Sequence, residues 1–183
     1  MKNRPNGFTL IELLIVVAII AILAGLAVPS FTTMLMKRSV QGAALALIAD
    51  LRYARSEALR RSITVSVCSL AANSTSTCSG DPAKWANGWM VFVDTGGTKG
   101  SWDTGEEIIR VQQPLSNIAT IQRAVSPAST LNSFTYEANG IAKAANETLV
   151  VKPTRDSSAA NDRVICTSIT GRPSLRVEGA TGC

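Results

Sequence analysis

"GFTLIELLIVVAIIAILAGLAV", residues 7–28, is an apolar run with one acid in it. Residues 8–28 would span ~31 Å as a helix at ~1.5 Å per residue, enough for a bilayer core of ~30 Å. Glu12 stands one helical turn after Phe8. A carboxylate in lipid costs ~2.5–3.5 kcal/mol near the centre of a span and less toward its end, so its presence needs a reason. Lys2 and Arg4 precede the run, which suits a start held on the cytoplasmic side. The run is longer than a secretory h-region and no A-x-A cleavage site follows it, so the simplest reading is an uncut signal anchor. Gly7 argues further. A cut between Gly7 and Phe8 would leave a positive α-amine on Phe8 at the edge of the apolar layer. The Glu12 carboxylate needs a positive partner there, and the amine of a neighbouring copy supplies one. The acid is then tolerated when subunits stack in register, which makes it an assembly contact.

The stretch "GFTLIELLIVVAIIAILAGLAVPSF" closely resembles the class III signal of type IV pilins and type II secretion pseudopilins. That resemblance implies cleavage by prepilin peptidase after Gly7 and methylation of the new amine of Phe8. It implies that Glu12 helps dock the subunit into a filament. Pro29 falls where such pilins often carry a helix-bending proline, and a proline inside a helix removes a backbone bond and kinks it.

The remaining chain reads as a secreted domain. Lys and Arg number 18 against 13 Asp and Glu, a mildly basic balance of +5 that allows an anionic partner without demanding one. Histidine is absent, which removes the commonest general base and metal ligand. No nucleophile elbow, phosphate loop or metal-ligand spacing occurs, so neither enzyme activity nor a metal or other cofactor is expected. Cys68, Cys78, Cys166 and Cys183 form no C-x-x-C pair. Behind a membrane-targeting segment an even count favours disulfides. Of three pairings, Cys68 with Cys78 and Cys166 with Cys183 close the shortest loops, each worth ~2–4 kcal/mol. Four buried free thiols are the alternative.

Past Pro29 an apolar stripe of Val40, Ala44, Leu47, Leu51, Ala54 and Ala58 keeps helical spacing. Arg52, Arg55, Glu57 and Arg61 occupy other faces, with Glu57 and Arg61 a favourable i,i+4 pair. One helix is therefore expected over residues 8–61, its stripe resting on a sheet. The basic run "RYARSEALRRS" reads as a solvated helix face. From residue 63 the pattern turns to strands: "ITVSVCS", "GWMVFVD" (apolar on both faces, hence an inner strand), "EEIIRVQ", "NSFTYEANG", "TLVVKP", "RVICTSI" and "PSLRVE". The loop "LAANSTSTCSGDPAKWAN" is polar, with Cys78 as its staple. The loop with Asp94, Asp103, Glu106 and Glu107 could hold calcium, but its spacing is not that of an EF-hand, and a solvated hairpin loop is expected.

"GWMVFVDTGGTKGSWDTGEEIIR" is similar to the central strand-loop-strand of the FimT/FimU/GspH minor pilin family. The tail "SITGRPSLRVEGATGC" places Arg172 and Arg176 on one face of an extended chain, ~13 Å apart. FimT-like pilins used in DNA uptake carry a C-terminal Gly-Arg-x-Arg motif that contacts DNA. Here two further residues precede the second arginine. The resemblance thus implies backbone-driven contact with double-stranded DNA through Arg172 and Arg176.

The expected fold is α+β and pilin-like, one long N-terminal helix packed on an antiparallel β-sheet domain. Its parts are a leader at 1–7, a transmembrane or filament-core half at 8–28, an amphipathic half at 29–61 and a periplasmic β-rich domain at 62–183. The chain is expected in the bacterial inner membrane, single-pass, and outside the cell once in a pilus. Its partners would be other pilins, prepilin peptidase and DNA. The alternative is a GspH-like minor pseudopilin of a type II secretion system that binds no DNA.

Overall fold

The structure, a computed structural model, describes residues 8–123, 132–143, 147–155, 161–168 and 170–176, and at 26–30 only the helical backbone. Helix α1 runs Leu10–Arg61 and is helical through Pro29, whose side chain lies outside the described residues. Thr9 caps α1, so it begins two residues later than the apolar run. Two compact units divide between Leu35 and Met36. In the first, α1 exposes its apolar side chains: Phe8 is 90% exposed, and even Val16 is half exposed.

No helix among the described residues is long and apolar enough to cross a membrane; the expected span 8–28 takes in residues 26–28, whose side chains lie outside the described residues.

In the second unit the α1 stripe is buried as its spacing implied, with Val40, Ala44, Leu47, Leu51, Ala54 and Ala58 at 0% exposure. Each buried leucine contributes ~1.5–3 kcal/mol. Among the described residues two antiparallel four-stranded sheets receive this stripe, where one sheet was expected. The first has β1 (Val65–Ser69), β2 (Trp89–Val93), β3 (Ile108–Gln112) and β5 (Ser133–Tyr136) in the order β3-β2-β1-β5. The second has β4 (Ile118–Arg123), β6 (Glu147–Pro153), β7 (Arg163–Thr167) and β8 (Pro173–Arg176) in the order β4-β6-β7-β8. Their inner faces and α1 share one core, in which Val67, Val91, Phe134, Leu149 and Ile165 meet Leu47 and Leu51. The outer face of the first sheet carries a smaller cluster of Cys68, Leu70, Met90 and Phe92. Strand β2 is thus apolar on both sides and lies inside its sheet, as its composition implied.

Strand β4 escaped the sequence reading. Its pairing with β6 shifts register between Ile118 and Thr120, so its apolar residues do not keep a period of two. The polar loop after β1 also hides a core residue. A short 3-10 turn, Trp85–Asn87, buries Trp85 completely, edge-on to Phe134 at 5.4 Å. Cys68 and Cys78 are joined, which ties that loop to β1. Cys166 is also disulfide-bonded; its expected partner, Cys183, lies outside the described residues.

Glu57 pairs with Arg61 as their i,i+4 spacing implied, accepting from Arg61 Nε at 2.7 Å and from Arg60 Nη2 at 2.6 Å, but the face expected to be solvated leaves Glu57 buried. Arg61 Nη1 also reaches Glu107 Oε2 at 2.7 Å, joining the end of α1 to the start of β3. The hydrogen bond from Arg60, reinforced by Arg61, holds the Glu57 carboxyl below its ordinary value of 4.5. A depressed acid stabilises the fold above that value and loses the contribution as pH falls through its folded pKa. The Tm should therefore be flat with pH above 4.5 and drop below it. Glu57→Gln should lower Tm at neutral pH and flatten the acid limb. An unchanged acid limb in that variant would show that this network does not report the pH.

Candidate functional site

Two regions carry the chemistry singled out in the sequence. At the start of α1, Glu12 Oε2 accepts from Thr9 N–H and from Thr9 Oγ1, each at 3.0 Å. Glu12 N–H donates back to Thr9 Oγ1 at 3.3 Å. This is a capping box: the hydroxyl and the acid three residues on satisfy amides that a helix start leaves open. The same carboxylate suits the positive end of the helix dipole. Glu12 therefore has a partner within its own chain, a role the assembly reading did not foresee. The signal was present as Thr-x-x-Glu. Gly7 lies outside the described residues.

The second region is the turn from β7 into β8. Ser168 N–H donates to Arg172 O at 3.1 Å and Gly171 N–H to Ser168 O at 2.8 Å. Arg172 N–H bonds Ser168 Oγ at 3.2 Å. Gly171 has φ +73°, and a Cβ there would lie 2.9 Å from Tyr136 Cε1. Only glycine lets the turn close over that buried ring. Burial pushes the Tyr136 hydroxyl pKa up, and the hydroxyl has no hydrogen-bond partner among the described residues. Strand β8 is an edge strand. Arg172 in the turn before it, and Ser174 and Arg176 along it, are exposed, while Pro173 and Leu175 turn inward.

Arg172 has company that sequence reading missed. A groove of about 480 Å³ lies between the turn and α1, with Arg52, Arg55 and Leu59 on one side and Arg172 and Pro173 on the other. Arg52 Nη2 donates to Pro173 O at 3.3 Å and Arg55 Nε to Gly140 O at 2.9 Å. Arg176 does not line this groove. Within α1 alone these arginines look like part of a solvated basic run, and no local signal places them opposite Arg172.

Two carboxylates of the acidic loop between β2 and β3 are taken up by neighbouring donors. Asp94, fully buried, accepts from Ser66 Oγ at 2.6 Å and Gly100 N–H at 2.7 Å, and Lys99 Nζ lies 3.3 Å away. Glu106 takes the amides of Thr95, Gly96 and Asp103, each at 2.9 Å. Among the described residues no acidic or cysteine cluster suited to a metal ion occurs.

Residues 43–171 match the family model described as type II transport protein GspH. This chain belongs to the GspH family. Residues 2–28 match the prokaryotic N-terminal methylation motif, which takes in Gly7, Phe8 and Glu12. Two crystal forms of the type IV minor pilin FimU of Pseudomonas aeruginosa, strain PAO1, share the fold. One has a TM-score of 0.56 at 23% identity over 76% of this chain and 89% of FimU. The other has a TM-score of 0.54 at 24% identity over 74% and 91%. A GspH-family chain with a methylation motif and this fold is a minor pilin or pseudopilin. The GspH match ends at Gly171, one residue before Arg172.

Proposed function

We propose that this GspH-family chain is a minor pilin of a type IV pilus, active in assembly or tip priming, and that it binds extracellular double-stranded DNA for natural transformation. The carrying observation for assembly is the apolar start of α1, whose side chains the chain itself leaves uncovered. In this reading prepilin peptidase cuts after Gly7 and methylates Phe8. Residues 8–28 wait in the inner membrane with the β-rich domain in the periplasm, and they move to the filament core on assembly. Glu12, already seated on Thr9, offers its second oxygen to the amine of a neighbouring subunit, and Pro29 bends the helix for packing.

For DNA the support is the exposed pair of Arg172, in the β7–β8 turn, and Arg176, on the edge strand β8, neither in an ion pair among the described residues. Guanidiniums so placed suit backbone phosphates. The test is the affinity of the full chain, in detergent, for a labelled duplex at rising salt. Two phosphate contacts give a log–log salt slope of about −1.8, so binding should fall ~10-fold between 50 and 200 mM salt. Arg172→Ala with Arg176→Ala should abolish that binding. Undiminished binding in the double variant would remove the tail from the reading.

A GspH-like minor pseudopilin of a type II secretion system is the second reading, favoured by the description of the family model over 43–171. It requires no DNA binding by the native chain, and recovery of the chain with secretion pseudopilins rather than sheared pili.

A further inference from the structure

We infer that the DNA site is composite: Arg52 and Arg55 of α1 join Arg172 to hold a backbone phosphate in the groove between helix and turn, with Arg176 outside it. The inference rests on the DNA reading above and changes which residues carry it. Three arginines line one groove, and no carboxylate among the described residues pairs with any of them. Like charges gathered without a counter-charge repel, and an anion in the groove relieves that repulsion.

The helix arginines are also held in place. Arg52 spends one donor on Pro173 O and Arg55 one on Gly140 O. A guanidinium has five N–H donors in a fixed fork, so each keeps others for a ligand while the carbonyl sets its direction. Arg172 contributes from a turn that Gly171 and Ser168 shape. The chemistry favours a phosphodiester backbone, because a polyanion brings closely spaced phosphates that engage more than one arginine at once.

The experiment is duplex binding by the full chain in detergent, read as anisotropy over a salt series. Arg52→Gln with Arg55→Gln should weaken binding more than ~10-fold and flatten the salt slope by ~0.9, the share of the one phosphate held in the groove. Arg172→Gln should weaken binding too, and Arg176→Gln by less. Since the helix arginines also bond backbone carbonyls, Ser56→Glu provides the variant that keeps them. Ser56 lines the groove, is exposed, and bonds Tyr53 O within its own helix. A glutamate there should weaken binding ~10-fold at low salt with an unchanged melting temperature. If Arg172→Gln weakens binding while Ser56→Glu and the helix pair do not, the composite site falls and the DNA reading stands. If the native chain binds no duplex, both fall.

Discussion

Alanine at position 88 should destabilise the domain by ~3–5 kcal/mol. Gly88 enters β2 with φ +96° and ψ 179°, a region essentially confined to glycine that costs a residue with a Cβ ~1–3 kcal/mol. That Cβ would also overlap the carbonyl oxygen of Gln112, in the strand paired with β2. The obstacle is backbone, so no side-chain rotation relieves it. Parting β2 from β3 would disturb the Gly88 carbonyl, which accepts from Leu70 N–H at 3.0 Å. Gly105 is the control: its φ is +101° with open space around its Cβ position. Gly105→Ala should cost only the backbone strain, ~1–2 kcal/mol. Urea unfolding followed by tryptophan fluorescence separates the two. Equal losses would mean that the close approach of β3 contributes nothing.

Asp50→Ala should cost ~3 kcal/mol by the same measurement. Asp50 sits on the buried face of α1 with its side chain 5% exposed. Its Oδ2 accepts from Trp89 Nε1 at 2.8 Å and its Oδ1 from Arg110 Nη1 at 2.6 Å. Arg110 also lies over the Tyr53 ring at 5.1 Å. One carboxylate thereby ties the helix to β2 and β3. Alanine would leave the indole N–H of Trp89, itself fully buried, with no acceptor. Arg110→Ala should cost under ~1 kcal/mol, because its side chain is 55% exposed and water takes its place at the carboxylate. Asp50→Asn keeps one oxygen for Trp89 and should fall between. A larger loss at Arg110 than at Asp50 would locate the energy in the ion pair rather than in the buried indole bond.

Features built from near neighbours were legible in the sequence. The α1 stripe, the inner position of β2 and the Cys68–Cys78 disulfide each follow from residues a few positions apart or from one element's own periodicity. The Thr9 capping box was equally local, but the assembly role of Glu12 drew the reading past it. Strand β4 was hidden where a register shift broke its alternation. Trp85 was hidden in a polar loop whose composition says nothing of the cavity it fills.

By itself the sequence determined the class of the protein: a long helix with an apolar start, a processing and assembly motif at its head, and a β-rich secreted domain. It also singled out Arg172 and Arg176, because they sit together in a short tail. Only the tertiary structure decided how the strands divide between two sheets, that Asp50 meets Trp89, and that Arg52 lies against the β7–β8 turn 121 residues away. The physical reason is range. Helix and strand periodicity are set by the next few residues, whereas the neighbour an arginine meets across a groove is set by how the whole core packs.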